Sequence, residues 1–457
     1  MTPFSSLRYR TVCTLIGHVF RPSNMRASPH SVVRNVAWTA IATLALCSTL
    51  PAAVAAQSSP ALTPAATLPA RAVSFSEPHL ARIEAWVTRL IAEQRVPGAV
   101  VMLVRDGRVE YHKAFGYRNN VTKAPLQRDD IFRIASQTKA ITSLAAMMLW
   151  EEGKFSLDDP IEKYLPEFGK QTVLVKFNPA DSSYTTKPAK RKTTVRQLLT
   201  HTSGIDYADI GSEEFRAIYA KAGLTGLGRE GELLADKVRV LGGMPLAFEP
   251  GERFNYSLSI DVLGRLVEVW SGLPLDRFFA SRIFEPLNMR DTWFELPADR
   301  RARLVTLHNE TNGKVAPMEA DSGGMRPDFP ARRATYFSGG AGLAGTTADY
   351  ARFLQLFLNG GELDGVRLLS RKTVELMLTN QIPRLQPAFG LGFALETPDN
   401  DYRSVLSAGS FEWGGAFTTT YWADPKERLV ALIYTNVLGS TVELGDRFKV
   451  LVYSAMR

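Results

Sequence analysis

Ser136-Gln137-Thr138-Lys139 is the only place in this chain where a lysine follows a serine by three residues. On a helix those two positions share a face, so the amine can stand beside the hydroxyl. A serine becomes a nucleophile when a base takes its proton, and an amine removed from water can be that base. A helix N-terminus adds backbone N–H groups and the positive end of the dipole, which suit a developing oxyanion. Such a tetrad arises by chance on the order of once in a chain of this length, so context decides its meaning. Here Lys139 is followed by Ala-Ile-Thr-Ser-Leu-Ala-Ala-Met-Met-Leu. A helix that apolar is a buried helix, and a lysine in its first turn is expected to be partly buried with it.

Other candidate chemistries fare less well. Asp321-Ser322-Gly323-Gly324 mimics the surroundings of a chymotrypsin-like nucleophile, but that fold is all-β and the middle of this chain reads as helical. There is no G-x-S-x-G elbow, H-E-x-x-H, Walker A or dinucleotide glycine pattern. His112 and His308 stand isolated and read as surface or hydrogen-bonded residues. Nothing implies a metal or an organic cofactor.

The elements around the tetrad follow from periodicity. Glu77–Arg95 carries Leu80, Ile83, Trp86, Val87, Leu90 and Ile91 at helical spacing, stopped by Pro97-Gly98. Two β-rich runs then flank Asp106-Gly107, a strong hairpin signal. Residues 136–152 predict a long apolar helix ended by Gly153. The polar stretch 170–194, with Lys187, Lys190, Arg191 and Lys192, reads as a solvated loop rather than an anion site. A helix-rich middle spans about 195–300. Beyond it come a helix at 347–359, two strands across the Asp424-Pro425 turn, and a closing helix over Val442–Val452. Strands at both ends around a helical middle predict an α/β unit built from residues 74–165 and 335–457, interrupted by a mainly helical domain at 166–334.

With these elements in place, a resemblance becomes visible. FRIASQTKAITSLAAMMLWEEGKFSLDDPIEKYLPEF resembles the nucleophile helix of serine β-lactamase-related and penicillin-binding proteins. VRQLLTHTSGI, FNYSLSIDVLG and GGAGLAGTTADYARFLQLFLNGGE resemble later segments of that superfamily, in order, across roughly residues 77–455. The resemblance implies a β-lactamase/transpeptidase-like fold, α/β plus all-α, with an antiparallel sheet flanked by helices and a helical domain inserted. It implies Ser136 as nucleophile, Lys139 as base and Tyr256 as general base or proton relay. His201, tempting as a base, is expected to be structural and to orient the turn that opens the helical domain.

Two departures point to one branch of the superfamily. The tyrosine motif reads Tyr256-Ser257-Leu258, where class C β-lactamases have asparagine in third place. The strand expected to carry Lys-Thr-Gly or His-Thr-Gly reads Trp413-Gly414-Gly415-Ala416 instead. That run resembles the W-x-G motif of family VIII carboxylesterases. Tryptophan cannot pair a carboxylate as lysine does, but it offers a large apolar wall to an acyl or alcohol group. Gly414 and Gly415 permit close backbone approach. By analogy with the family, the N–H groups of Ser136 and Ala416 form the oxyanion hole. The expectation is a serine hydrolase acting on carboxylic esters, most simply short acyl ones, through an acyl-enzyme. A β-lactam or D-amino-peptide hydrolase, an acyltransferase on the same scaffold and a catalytically silent binding protein are the alternatives.

Composition sets the outer limits. Of 457 residues 45% are apolar and 22% charged, the signature of a globular chain. The formal charge of +8 is concentrated at one end, because residues 1–56 hold five arginines and no acidic residue. The remainder has 49 basic and 46 acidic residues, about +3, too even for nucleic-acid binding. Cys13 and Cys47 both lie in those first 56 residues, so the body can hold no disulfide and no thiolate metal site. Residues 36–50 form a short apolar run after Arg26 and Arg34, followed by small residues at Ala53-Val54-Ala55-Ala56. That pattern predicts an export signal cleaved near Ala55 or Ala56, with Met25 a possible true start. The run is shorter than the ~20 residues of a membrane span, and Leu46 is too large for lipoprotein processing at Cys47. Residues 57–73 read as a Pro/Ala/Ser linker. The expected partner is a small-molecule ester, with no nucleic acid and no stable membrane anchor. Oligomeric state is left open.

Overall fold

Gly98–Arg105 is apolar on two faces, not one. Val100, Met102 and Val104 enter one cluster of buried side chains and Ala99, Val101 and Leu103 another. That is the period of two of a strand covered on both sides. In the computed structural model, which describes residues 75–227, 231–319 and 327–457, this strand is β1. It pairs antiparallel with β2 (Arg108–Asn119) across Asp106-Gly107, whose positive φ angles of 51° and 74° make the tight turn expected of Asp-Gly. The end of the chain supplies β3 (Phe411–Gly415), β4 (Thr419–Asp424) and β5 (Leu429–Tyr434). The sheet runs β3-β4-β5-β1-β2, with two-residue strands at each edge. β5 lies antiparallel to β1, with Val100 opposite Tyr434 and Arg105 opposite Leu429. Both ends of the described chain therefore meet at the centre of one antiparallel sheet.

Five helices matter for the site: α1 (Glu77–Ala92), α2 (Thr138–Glu151), α3 (Ser259–Ser271), α4 (Thr347–Leu358) and α5 (Leu444–Ala455). α1 and α5 cover one face of the sheet. Ile83, Trp86, Val87 and Leu90 of α1 share a cluster with Phe448, Leu451 and Val452 of α5 and with Ala431 and Ile433 of β5. The opposite face belongs to a larger cluster that continues through α2 and α4 into α3. Every residue of α2 from Thr138 to Leu149 is buried, as a helix apolar all round requires.

Two stretches differ from the sequence expectation. The polar segment 170–194 is not a loop throughout: Thr172–Asn178 and Ser183–Pro188 pair as an antiparallel hairpin. Alternating Thr, Val, Phe and Tyr supply the β preference that the lysines obscured. Lys187, Lys190, Arg191 and Lys192 are exposed, and Lys192 pairs with Glu162. A second hairpin joins His308–Thr311 to Lys314–Pro317 across Asn312-Gly313 within the stretch read as mainly helical. The export signal, the linker, both cysteines and Asp321–Gly324 lie outside the described residues. Among the described residues no helix is long and apolar enough to cross a membrane.

Candidate active site

From Asp130 to Leu149 every residue is buried except Ser136. Ser136 sits in a single 3-10 turn, Ala135–Gln137, that runs straight into α2. Ala135 enters the turn at φ 43°, a left-handed conformation that a residue with a Cβ adopts at a cost of about 1–3 kcal/mol. Packing on both sides holds the turn in place. The Tyr350 hydroxyl of α4 donates to the Gln137 carbonyl at 2.8 Å, and the Tyr434 hydroxyl of β5 donates to Gln137 Oε1.

One turn on, Lys139 is 3% exposed. Its Nζ donates to the Gly340 carbonyl at 2.8 Å and reaches the Tyr207 hydroxyl at 3.4 Å. It also lies 4.5 Å from the centre of the Tyr256 ring. Among the described residues Lys139 has no carboxylate within ion-pair distance, although Asp261 is near enough for its own ionisation to feel the lysine charge. Asp261 is fully buried on α3, and burial raises its carboxyl above the usual range despite that charge. It accepts from Ser338 Oγ at 2.6 Å and from the Gly340 N–H at 3.2 Å. A Cβ at position 340 would stand 2.4 Å from Asp261 Oδ2, so glycine suits the turn that carries this carbonyl to Lys139.

Tyr256 lies on an irregular segment just before α3, and His201 holds that segment. The Asn255 N–H donates to the His201 carbonyl at 2.8 Å, and the Ser257 N–H donates to His201 Nδ1 at 3.3 Å. The ring is buried, and burial followed by the Lys139 charge pushes its pKa well below the ordinary histidine value. It is therefore a neutral acceptor at pH 7, in keeping with the structural role expected of it. The Tyr256 hydroxyl is buried and has no hydrogen-bond partner. Tyr207 stacks on Tyr256, centroids 5.5 Å apart and planes 22° apart. Burial, and next the neighbouring Tyr256, raise the Tyr207 phenol well above its ordinary pKa, so it stays protonated.

β3 closes the other side. The Trp413 ring stands 5.5 Å from Tyr256 and 5.6 Å from Phe389, centroid to centroid. At Gly415 a Cβ would come within 2.4 Å of the Ile134 carbonyl, which shows how closely the strand end approaches the Ser136 turn. Gly414 lies between them on the same strand, and Ala416 follows, exposed, in the turn that the Thr418 N–H closes on the Gly415 carbonyl at 3.0 Å. Leu258, in the position of the class C asparagine, is buried in the core and offers no polar group. His112 and His308 play other parts: His112 meets Thr347 Oγ1 at 3.1 Å, and His308 is buried between the Thr306 carbonyl and Asn120.

The profile of the Beta-lactamase family matches residues 83–453. The chain belongs to the Beta-lactamase family. Protein Rv1367c of Mycobacterium tuberculosis is 34% identical over 351 residues, covering 73% of this chain and 84% of that protein. Esterase EstB of Burkholderia gladioli is 30% identical over 387 residues, covering 81% and 94%. Among solved structures, EstCE1, a hydrolase with promiscuous acyltransferase activity, superposes with a TM-score of 0.71 at 27% identity, over 82% of this chain and 98% of its own. This member of the family is a serine hydrolase.

Sequence reasoning named Ser136, Lys139, Tyr256 and Trp413 as candidates; Lys139 and Trp413 lie against the Tyr256 ring, and Ser136 sits in the turn that leads into the helix carrying Lys139. That reasoning missed Tyr207, Asp261 and Gly340. Tyr207 stands six residues after His201 in a segment already singled out, and Asp261 is a lone acid within the apolar face of α3. A carboxylate on a buried helical face is a signal that was available.

Proposed function

We propose that this chain hydrolyses carboxylic esters through an acyl-enzyme on Ser136. The observation that carries the reading is the buried Lys139, without a carboxylate partner among the described residues and lying against the ring of Tyr256, whose buried hydroxyl has no hydrogen-bond partner. Lys139 and Tyr256 take the proton of Ser136 Oγ as that oxygen attacks the ester carbonyl. The N–H groups of Ser136 and Ala416 hold the developing oxyanion. The C–O bond to the alcohol breaks, the alcohol leaves with the proton from the Tyr256/Lys139 pair, and the acyl group stays on Ser136. Water, activated by the same pair, then releases the acid. Trp413, Phe389 and the rings around them form an apolar wall suited to short acyl or alkyl groups.

Acyl transfer is the second reading, since an alcohol entering along the same wall can replace water in the last step. The promiscuous acyltransferase activity stated for EstCE1 supports it. A β-lactam or D-amino-peptide substrate is less well served, because Trp413 stands where a cation for its carboxylate is needed. The deciding measurement is p-nitrophenyl butyrate hydrolysis by residues 57–457, beside a folded Ser136→Ala variant. Activity that vanishes with Ser136 supports the reading, and equal activity in both proteins removes it. Added alcohol that diverts butyrate into a new ester favours transfer. We further propose that residues 1–56 direct export, with cleavage near Ala55 or Ala56. Intact-mass analysis of protein recovered from the periplasm or medium tests this.

A further inference from the structure

Both donors proposed for the oxyanion are fastened to a single short stretch, Thr435–Val437, which follows β5. On one side the Asn436 side chain grips the main chain of Arg133, three residues before Ser136. The Arg133 N–H donates to Asn436 Oδ1 at 3.1 Å, and Asn436 Nδ2 donates to the Arg133 carbonyl at 3.3 Å. The amide thus stands in for a neighbouring strand, which only a planar group with both a donor and an acceptor can do. On the other side the main chain grips the turn that carries Ala416. The Val437 N–H donates to the Phe417 carbonyl at 3.0 Å, the Thr435 N–H donates to the Thr418 carbonyl at 3.3 Å, and Thr418 Oγ1 donates to the Val437 carbonyl at 2.8 Å.

The Arg133 guanidinium strengthens the joint. It is buried and, among the described residues, has no carboxylate within ion-pair distance. Its donors go to the carbonyls of Val305, Pro327 and Phe329 and to Asn436 Oδ1. Phe329 in turn packs against a small apolar cluster that includes Ala135 and Phe417, the neighbours of Ser136 and Ala416. Asn436 is wholly buried, and its remaining N–H donates to the Thr435 carbonyl at 2.9 Å, so its amide is fully engaged within the protein.

We propose that Asn436 is a positioning residue that sets the spacing between the Ser136 and Ala416 N–H groups. This rests on the acyl-enzyme reading above. It implies that loss of the Asn436 amide weakens polarisation of the bound carbonyl while leaving substrate binding nearly intact.

The test is Asn436→Ala in the full chain, with Asn436→Asp as the variant that keeps the shape and the acceptor oxygen but loses the donor. Leu451→Ala, on α5 at the far face of the sheet, controls for lost stability. Each protein is acylated with an ester carrying an isotope-labelled carbonyl. The site of acylation is mapped by mass spectrometry, and the acyl carbonyl band is read by infrared difference spectroscopy beside kcat, KM and Tm. In Asn436→Ala, kcat is expected to fall about ten-fold or more, as for loss of oxyanion contacts. KM is expected to stay within about two-fold, and the band to move toward that of the free ester. Asn436→Asp is expected to give a smaller change in the same direction, and Leu451→Ala to lower Tm alone. A normal band and kcat in a folded Asn436 variant, or the same losses in Leu451→Ala, overturns the proposal while leaving the esterase reading standing. Absence of any acyl group on Ser136 in the wild type overturns the esterase reading and this proposal with it.

Discussion

Lys139 Nζ lies 4.5 Å from the centre of the Tyr256 ring, and the Tyr256 hydroxyl is buried with no hydrogen-bond partner. A buried orphan hydroxyl is destabilising by about 1–3 kcal/mol. The fold bears that strain at the point where a proton must be passed, which is where a hydroxyl awaiting substrate belongs.

Tyr256→Phe therefore separates catalysis from stability. The change removes no hydrogen bond, so Tm is expected to hold or rise by a few degrees. kcat for p-nitrophenyl butyrate is expected to drop about a hundred-fold or more, the usual weight of a proton-transfer group. A large fall in Tm with activity retained would assign Tyr256 to the core instead.

Lys139→Met tests the base in the same spirit. Methionine is close in length, and the swap leaves no carboxylate stranded among the described residues; it costs the hydrogen bond to the Gly340 carbonyl, about 1–3 kcal/mol. Activity is expected to fall about a thousand-fold, with Tm lowered by no more than a few degrees. Thermal melts and initial rates on one preparation decide it.

His201→Phe keeps a ring in place but strips the Ser257 N–H of its acceptor. Stability is expected to fall by about 1–3 kcal/mol and kcat with it, because the Tyr256 segment loosens. Since His201 is neutral and structural, the shape of the pH–rate profile should survive the substitution. Loss of one limb of that profile would show His201 to be a titrating base.

Trp413→Ala removes the apolar wall beside Tyr256 and Phe389. Lost contact with an acyl chain amounts to about 1–3 kcal/mol, roughly ten-fold or more in kcat/KM. Butyrate and longer esters should lose more than acetate. An equal loss for all chain lengths would place the acyl group elsewhere.

Glu396 provides a stability test on a group with no part in the proposed chemistry. Burial first, then the charge of Glu412, push its carboxyl up to about 7, with Ser404 and Lys449 opposing the shift. Unfolded, the group titrates near 4.5. Between those values the folded state holds the extra proton, so stability falls as pH rises from about 4.5 to about 7. Glu396→Gln should flatten that slope and raise Tm by a few degrees above pH 7, on the order of 1 kcal/mol. Melts at pH 5 and pH 8 check the sign: the gain belongs at pH 8 only.

The sequence by itself determined most of the elements and singled out the tetrad Ser136–Lys139 as the candidate. Periods of two and 3.6, an Asp-Gly turn and an apolar run after Lys139 are local signals, and local geometry alone puts Ser136 and Lys139 on one face. The same reasoning overlooked the hairpins at 172–188 and 308–317, where lysines and short length hid the β pattern. Only the tertiary structure decided what surrounds the tetrad. Gly340 reaches Lys139 because the turn that carries it passes tightly against Asp261 of α3. His201 steadies Tyr256 across 55 residues of chain, and Asn436 joins Arg133 to the Ala416 turn across some 300. No spacing rule reaches that far. Such pairings are set by which buried donors and acceptors remain once the sheet has closed, and each must find its partner wherever the chain has brought it.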